Sequence, residues 1–91
     1  MSKTCQILVL AQRDHGEAMR VSAGLTIFGH EVDLIFTDRI VEESEENLAQ
    51  AELLELTEIE PLSLIDDPNI DRIQATQFTE YFNKADHVIN L

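Results

Sequence analysis

Residues 6–39 read QILVLAQRDHGEAMRVSAGLTIFGHEVDLIFTDR, and this stretch decides the fold. An apolar run, Ile7 to Leu10, stops at Gln12-Arg13-Asp14-His15. A second, Val32 to Phe36, stops at Thr37-Asp38-Arg39. A short apolar run rich in branched residues and bounded by polar ones reads as a buried strand, so Cys5 to Ala11 is the first strand. The period then changes. Ala18, Val21, Leu25 and Phe28 recur at helical steps and mark one face of a helix of about fourteen residues. Asp14 caps its start, with Glu17 placed for a capping box, and Gly29 sits where a left-handed residue ends it. Glu31 to Thr37 is a second strand with Val32, Leu34 and Phe36 on one face. Strand, helix and strand make a βαβ unit, so the two strands run parallel.

Outward from this unit the alternation continues. Ser44 is a good N-cap, and Glu45 and Glu46 fall in the first turn of a second helix, where the helix dipole favours acids. Leu48, Ala49, Ala51, Leu53, Leu54 and Leu56 give that helix an apolar side to about residue 56. Pro61 forbids its continuation and introduces a third strand, Leu62 to Ile65, followed by a turn at Asp66-Asp67-Pro68-Asn69. Residues 70–84 have helix-like spacing with a break near Ala75-Thr76, and His87 to Leu91 forms a fourth strand. The expectation is one domain, 1–91, built as a three-layer α/β/α sandwich of flavodoxin-like type, with a parallel sheet of about four strands.

Composition narrows the function. The 91 residues carry a net charge of −12, which argues against nucleic acid or an anionic membrane as partner and leaves a basic protein compatible. A chain this short buries only somewhat over ~60% of its unfolded surface, so association would help stabilise it. The single cysteine gives no internal disulfide, and the first apolar run is too short for a signal segment or a membrane span, so a cytoplasmic protein is expected.

In an open parallel sheet, ligand sites lie beyond the carboxyl ends of the strands. The polar clusters that follow the strands should therefore share one rim, and Arg13, Asp14, His15, Asp38, Arg39 and Asp66 are its candidate ligand-binding residues. Caps and solvated loops account for the same residues without any ligand. His15, His30 and His87 do not converge, so no metal site is expected. Asp14, Asp38, Asp66 and Asp67 are a weak match to a receiver domain's acidic pocket, because the paired acids and the lysine of that pocket are missing. Neither G-x-G-x-x-G nor G-x-x-x-x-G-K-[ST] occurs, and no cofactor is expected. Cys5 lies in the first strand and reads as an inert core thiol. With no nucleophile, phosphate loop or metal motif, acyl or phosphoryl transfer ranks last and the sequence leans away from an enzyme. Eight glutamates in residues 42–60, with no base among them, read either as a solvated helix face or as a docking surface for a basic partner.

Residues 17–39, EAMRVSAGLTIFGHEVDLIFTDR, resemble the DsrE/DsrF/DsrH family of small sulfur-relay proteins, related to TusD, TusC and TusB. The likeness lies in the alanine-containing helix Glu17 to Leu25, then Gly29-His30-Glu31-Val32 and a strand ending at Asp38. Residues 46–64, ENLAQAELLELTEIEPLSL, resemble that family's second helix and third strand. The resemblance implies a parallel α/β sandwich that assembles into homo- or hetero-oligomers in the cytoplasm. Some members carry sulfur on a cysteine in or just after the third strand. Here Pro61-Leu62-Ser63-Leu64-Ile65-Asp66-Asp67-Pro68 has none, so no catalytic residue carries over and a non-catalytic subunit is implied.

Overall fold

The structure, a computed structural model, describes residues 4–91. Its elements run β1 (Gln6–Ala11), α1 (His15–Ile27), β2 (Glu31–Phe36), α2 (Glu45–Leu56), β3 (Leu62–Ser63), β4 (Asp71–Arg72), α3 (Ala75–Lys84) and β5 (His87–Asn90). One five-stranded sheet has the order β4-β3-β2-β1-β5, with every pairing parallel. The architecture is the expected α/β/α sandwich, but with five strands where about four were anticipated. The additional strand is β4, inside the region read as helix-like. It is two exposed charged residues long, and nothing in its pattern separates it from a loop.

The period-two alternation of β1 and β2 divides the core. Ile7, Val9, Ala11, Leu34 and Phe36 point to one face, where Ala18, Met19 and Ala23 of α1 and Leu54 of α2 cover them. Leu8, Leu10 and Ile35 point to the other, where Ile73 and the half-buried Phe78 and Tyr81 of α3 lie. Both central strands are covered on both faces, which is why they read as continuous apolar runs.

The helix ends are written locally. Asp14 Oδ1 accepts from Glu17 N–H at 3.0 Å, but the Glu17 carboxylate turns to Arg20 and leaves the capping box half made. Ser44 Oγ likewise accepts from Asn47 N–H at 3.1 Å. Gly29, at φ +94°, closes α1 in a Schellman motif: Gly29 N–H donates to Thr26 O and His30 N–H to Leu25 O. The motif recurs after α2, where Glu58 occupies the left-handed position at φ +61°, Glu58 N–H donates to Glu55 O, and Ile59 N–H donates to Leu54 O.

Two more expectations are corrected. The buried stripe of α1 is His15, Ala18, Met19, Ser22 and Ala23; Val21 and Leu25 are only half-buried, and Phe28 is 82% exposed. Small side chains bring α1 close to the sheet and to α2, and the one polar group among them, Ser22 Oγ, is satisfied by donating to Ala18 O at 2.7 Å. The third strand stops at Ser63 rather than Ile65. Residues 64–70 then make a tight connection, in which Asp67 Oδ1 accepts from Asn69 N–H at 2.9 Å and Asp67 Oδ2 from Val41 N–H at 3.0 Å. Parallel strands normally need a crossover of a dozen residues or more, and the short connection suffices here because β3 and β4 are each only two residues long.

Candidate functional site

Because all five strands run the same way, β1 and β2 exit at one edge, and Thr37 N–H donates to Ala11 O at 3.2 Å just beyond their last pair. Arg39 fastens the two exits together. Its Nη1 donates to Gln12 O at 2.9 Å and Asp38 Oδ2 at 3.2 Å, and its Nη2 donates to Arg13 O at 2.7 Å. A planar fork that reaches two carbonyls and a carboxylate suits arginine and no other side chain. The same loop is held from the β5 side, where Leu91 O accepts from the N–H groups of Arg13 and Asp14 at 3.1 and 2.9 Å.

His15 opens α1 and turns inward. Its side chain is 4% exposed, and its ring meets Phe36 edge-on with centroids 4.8 Å apart. Nε2 stands 3.7 Å from Asp38 Oδ1 and makes no hydrogen bond within the described residues. Burial pushes the imidazole below its ordinary value, helped by Arg39, and the carboxylates of Asp38 and Asp14 act against that shift. His15 is therefore a neutral ring at pH 7, with one polar nitrogen unmatched.

A polar cleft of about 220 Å³ opens beside it, between the N-terminal ends of α1 and α2. Arg13, Asp14, His15 and Arg39 line it from the first two strand exits, and Glu42, Ser44, Glu46 and Asn47 line it from the start of α2. The sequence reading missed this second group as site residues. The signal was present in the Ser44 cap, which places the start of α2 on the rim where β2 exits. Asp38 sits beside the cleft through its contact with His15.

Five of the six rim candidates thus gather here, and Asp66 does not. It is 88% exposed, and its carboxylate takes Arg72 Nη1 at 3.0 Å. The Asx-type turn at Asp67 directs that segment toward Val41 and leaves Asp66 outside. Among the described residues no three of His, Cys, Asp and Glu come together as metal ligands would. The cleft joins two guanidinium groups to three carboxylates and a neutral imidazole, a mixed field that favours neither a simple anion nor a cation.

The one cysteine and the third strand lie apart from this cleft. Cys5 precedes β1 at the amino edge of the sheet, half-buried against the core rather than inside the strand as read from sequence. Its backbone N–H donates to His30 Nδ1 at 3.2 Å. Ser63, in the third strand, is fully buried, with Oγ accepting from Ile65 N–H at 3.1 Å. Among the described residues no helix is long and apolar enough to cross a membrane. No protein-family profile matches the chain, and no curated protein matches it.

Proposed function

We propose that the chain is a non-catalytic α/β subunit that works by associating with other proteins, in the DsrE/F/H-like sulfur-relay setting that residues 17–39 and 46–64 resemble. One observation supports this reading: the third strand of a parallel α/β/α sandwich and the turn after it hold no cysteine, Ser63 there is fully buried, and Cys5 sits at the opposite edge of the sheet. A carrier needs an accessible thiolate, and its reactivity depends on a lowered pKa in an electropositive setting.

The test has two parts. Incubation with a cysteine desulfurase and cysteine, followed by alkylation and mass spectrometry, should give no sulfane sulfur on Cys5. The Cys5→Ser protein should support sulfur relay as the wild type does, and loss of transfer with the fold intact would refute the non-catalytic reading. Native mass spectrometry of the protein isolated from its own host should show a stoichiometric complex with sulfur-relay proteins. A bare monomer would remove the subunit assignment.

A second reading rests on His15 Nε2, a buried nitrogen without a hydrogen bond beside a polar cleft. An unmatched buried polar atom costs about 1–3 kcal/mol, which a bound small molecule would recover. In a panel of small polar molecules, with nucleotides and divalent ions included, at least one compound should then raise the melting temperature of the wild type but not of His15→Phe. No shift across the panel removes this reading.

A further inference from the structure

From Ile40 to Asp71 the chain carries eleven acidic residues and no lysine, arginine or histidine. That segment contains α2 and one wall of a mainly apolar hollow, a cavity of about 390 Å³ between α2 and the β3–β4 connection. Met19, Phe36, Val41, Leu48, Leu54 and Ile70 form much of its lining, and Glu42, Glu43, Glu55 and Asp67 stand around it. Only Leu54 of α2 is buried, so most of the helix's apolar side chains stay at least partly open. Leu48 is left 55% exposed at the hollow and Leu56 81% exposed two turns on, about 12 Å along the helix axis.

We propose that this groove is the docking site for a cationic amphipathic segment of a partner protein, whose apolar side chains enter between Leu48 and Ile70 and whose basic residues meet the surrounding carboxylates. The charge selects the occupant. A second copy of this chain would bring like charge against like charge, and an anionic lipid or a nucleic acid would be repelled in the same way. A small cationic amphiphile would fill the hollow but leave Leu56 and the far acids uncovered, whereas a segment of polypeptide covers both. Helix-in-groove binding of this kind is read by apolar anchors at helical spacing. The inference stands independently of the sulfur-relay setting.

The test uses the full chain and a labelled synthetic peptide with leucines at i, i+3, i+4 and i+7 and lysines elsewhere, measured by fluorescence anisotropy at 150 mM salt. Two control peptides accompany it, one with its leucines replaced by serine and one with its lysines replaced by glutamate. The leucine–lysine peptide should bind at least tenfold more tightly than either control. Leu48→Asp, at a half-exposed position outside the core, should weaken binding at least tenfold, and so should Glu42→Gln combined with Glu43→Gln and Glu55→Gln. Amide shifts on peptide addition should concentrate on residues 41–59 and 67–70. Equal binding by the leucine-free peptide would show mere attraction between opposite charges and overturn the proposal, as would no binding at all. A dimer of the wild type that Leu48→Asp dissociates would overturn it too, because the groove would then hold a second copy.

Discussion

The His15 ring stands edge-on to Phe36, the two planes at 73°, and both side chains are almost wholly buried at the carboxyl ends of the central strands. A titratable group is thereby built into the packing of the core. In the unfolded chain His15 takes up its proton near the ordinary value of 6.5, whereas the folded chain resists protonation until lower pH. The His15 contribution to stability is fully present above about pH 6.5 and is lost as the pH falls from there through the lowered folded value. Urea midpoints of wild type and His15→Phe, measured from pH 7.5 to 5, should diverge in that window, with the wild type falling more steeply. An NMR titration of His15 with its midpoint above 6.5 would contradict this.

The two left-handed helix ends make opposite predictions. At Gly29 an added methyl group meets no atom within 4 Å, so Gly29→Ala isolates the backbone cost of positive φ and should destabilise by about 1 kcal/mol. At Glu58 the cost is already carried by a side chain, so Glu58→Gly should stabilise by about 0.5–1 kcal/mol even though it removes a residue's side chain altogether. Urea denaturation of both variants checks the pair of signs.

Removing either N-cap should cost about 1 kcal/mol, read as a lower urea midpoint with an unchanged slope. Asp14→Ala should also loosen the cleft, because the capped turn carries Arg13 and His15. Ser44→Ala acts on the start of α2, which has fewer buried side chains to hold it. Amide exchange over residues 45–48 should therefore rise more in Ser44→Ala than exchange over 15–18 rises in Asp14→Ala.

Arg39→Lys keeps the charge and loses the fork. A lysine ammonium cannot bridge Gln12 O, Arg13 O and Asp38 as the guanidinium does. The arginine is half-exposed, so the loss should be modest, about 1 kcal/mol. Faster amide exchange at residues 12–14 would report it, and unchanged exchange would show that the contacts with Leu91 hold the loop alone.

Ser63→Cys places a thiol in the third strand. Ser63 is fully buried, so the new thiol should resist an aromatic disulfide reagent in buffer and react only after unfolding. Loss of the bond from Ile65 N–H should lower stability by about 1 kcal/mol. Rapid reaction under native conditions would mean that the third strand opens easily.

The sequence was most legible where one local rule acted alone. Asp14, Gly29 and Ser44 announced their helix ends, and Val32, Leu34 and Phe36 announced a shared face, because caps and strand alternation depend on near neighbours. The buried face of α1 was harder to find. Val21, Leu25 and Phe28 are large apolar residues at helical spacing, but Ala18, Ser22 and Ala23 permit the close approach to the sheet, and closeness depends on the partner element. β4 was invisible because Asp71 and Arg72 are paired on one side only and exposed. Arg13, Asp14, His15, Asp38 and Arg39 could be placed on one rim by topology. Asp66 could not be removed from it, since Asp67 sets the direction of its turn through contacts far away in sequence.

The strand order also sets the timing of assembly. β1 lies between β2 and the edge strand β5, whose residues His87 to Asn90 pair with it, so Ile7 must meet a residue 80 positions along the chain. Closing so long a loop carries an entropic cost that nearer pairings such as Ile7 with Val32 do not face. During synthesis the most buried strand of the sheet keeps one row of amides and carbonyls open until residues 87–90 have emerged. The nascent chain is thus most prone to mispairing just before β5 arrives, and a chaperone that shields residues 6–11 would act when the need is greatest.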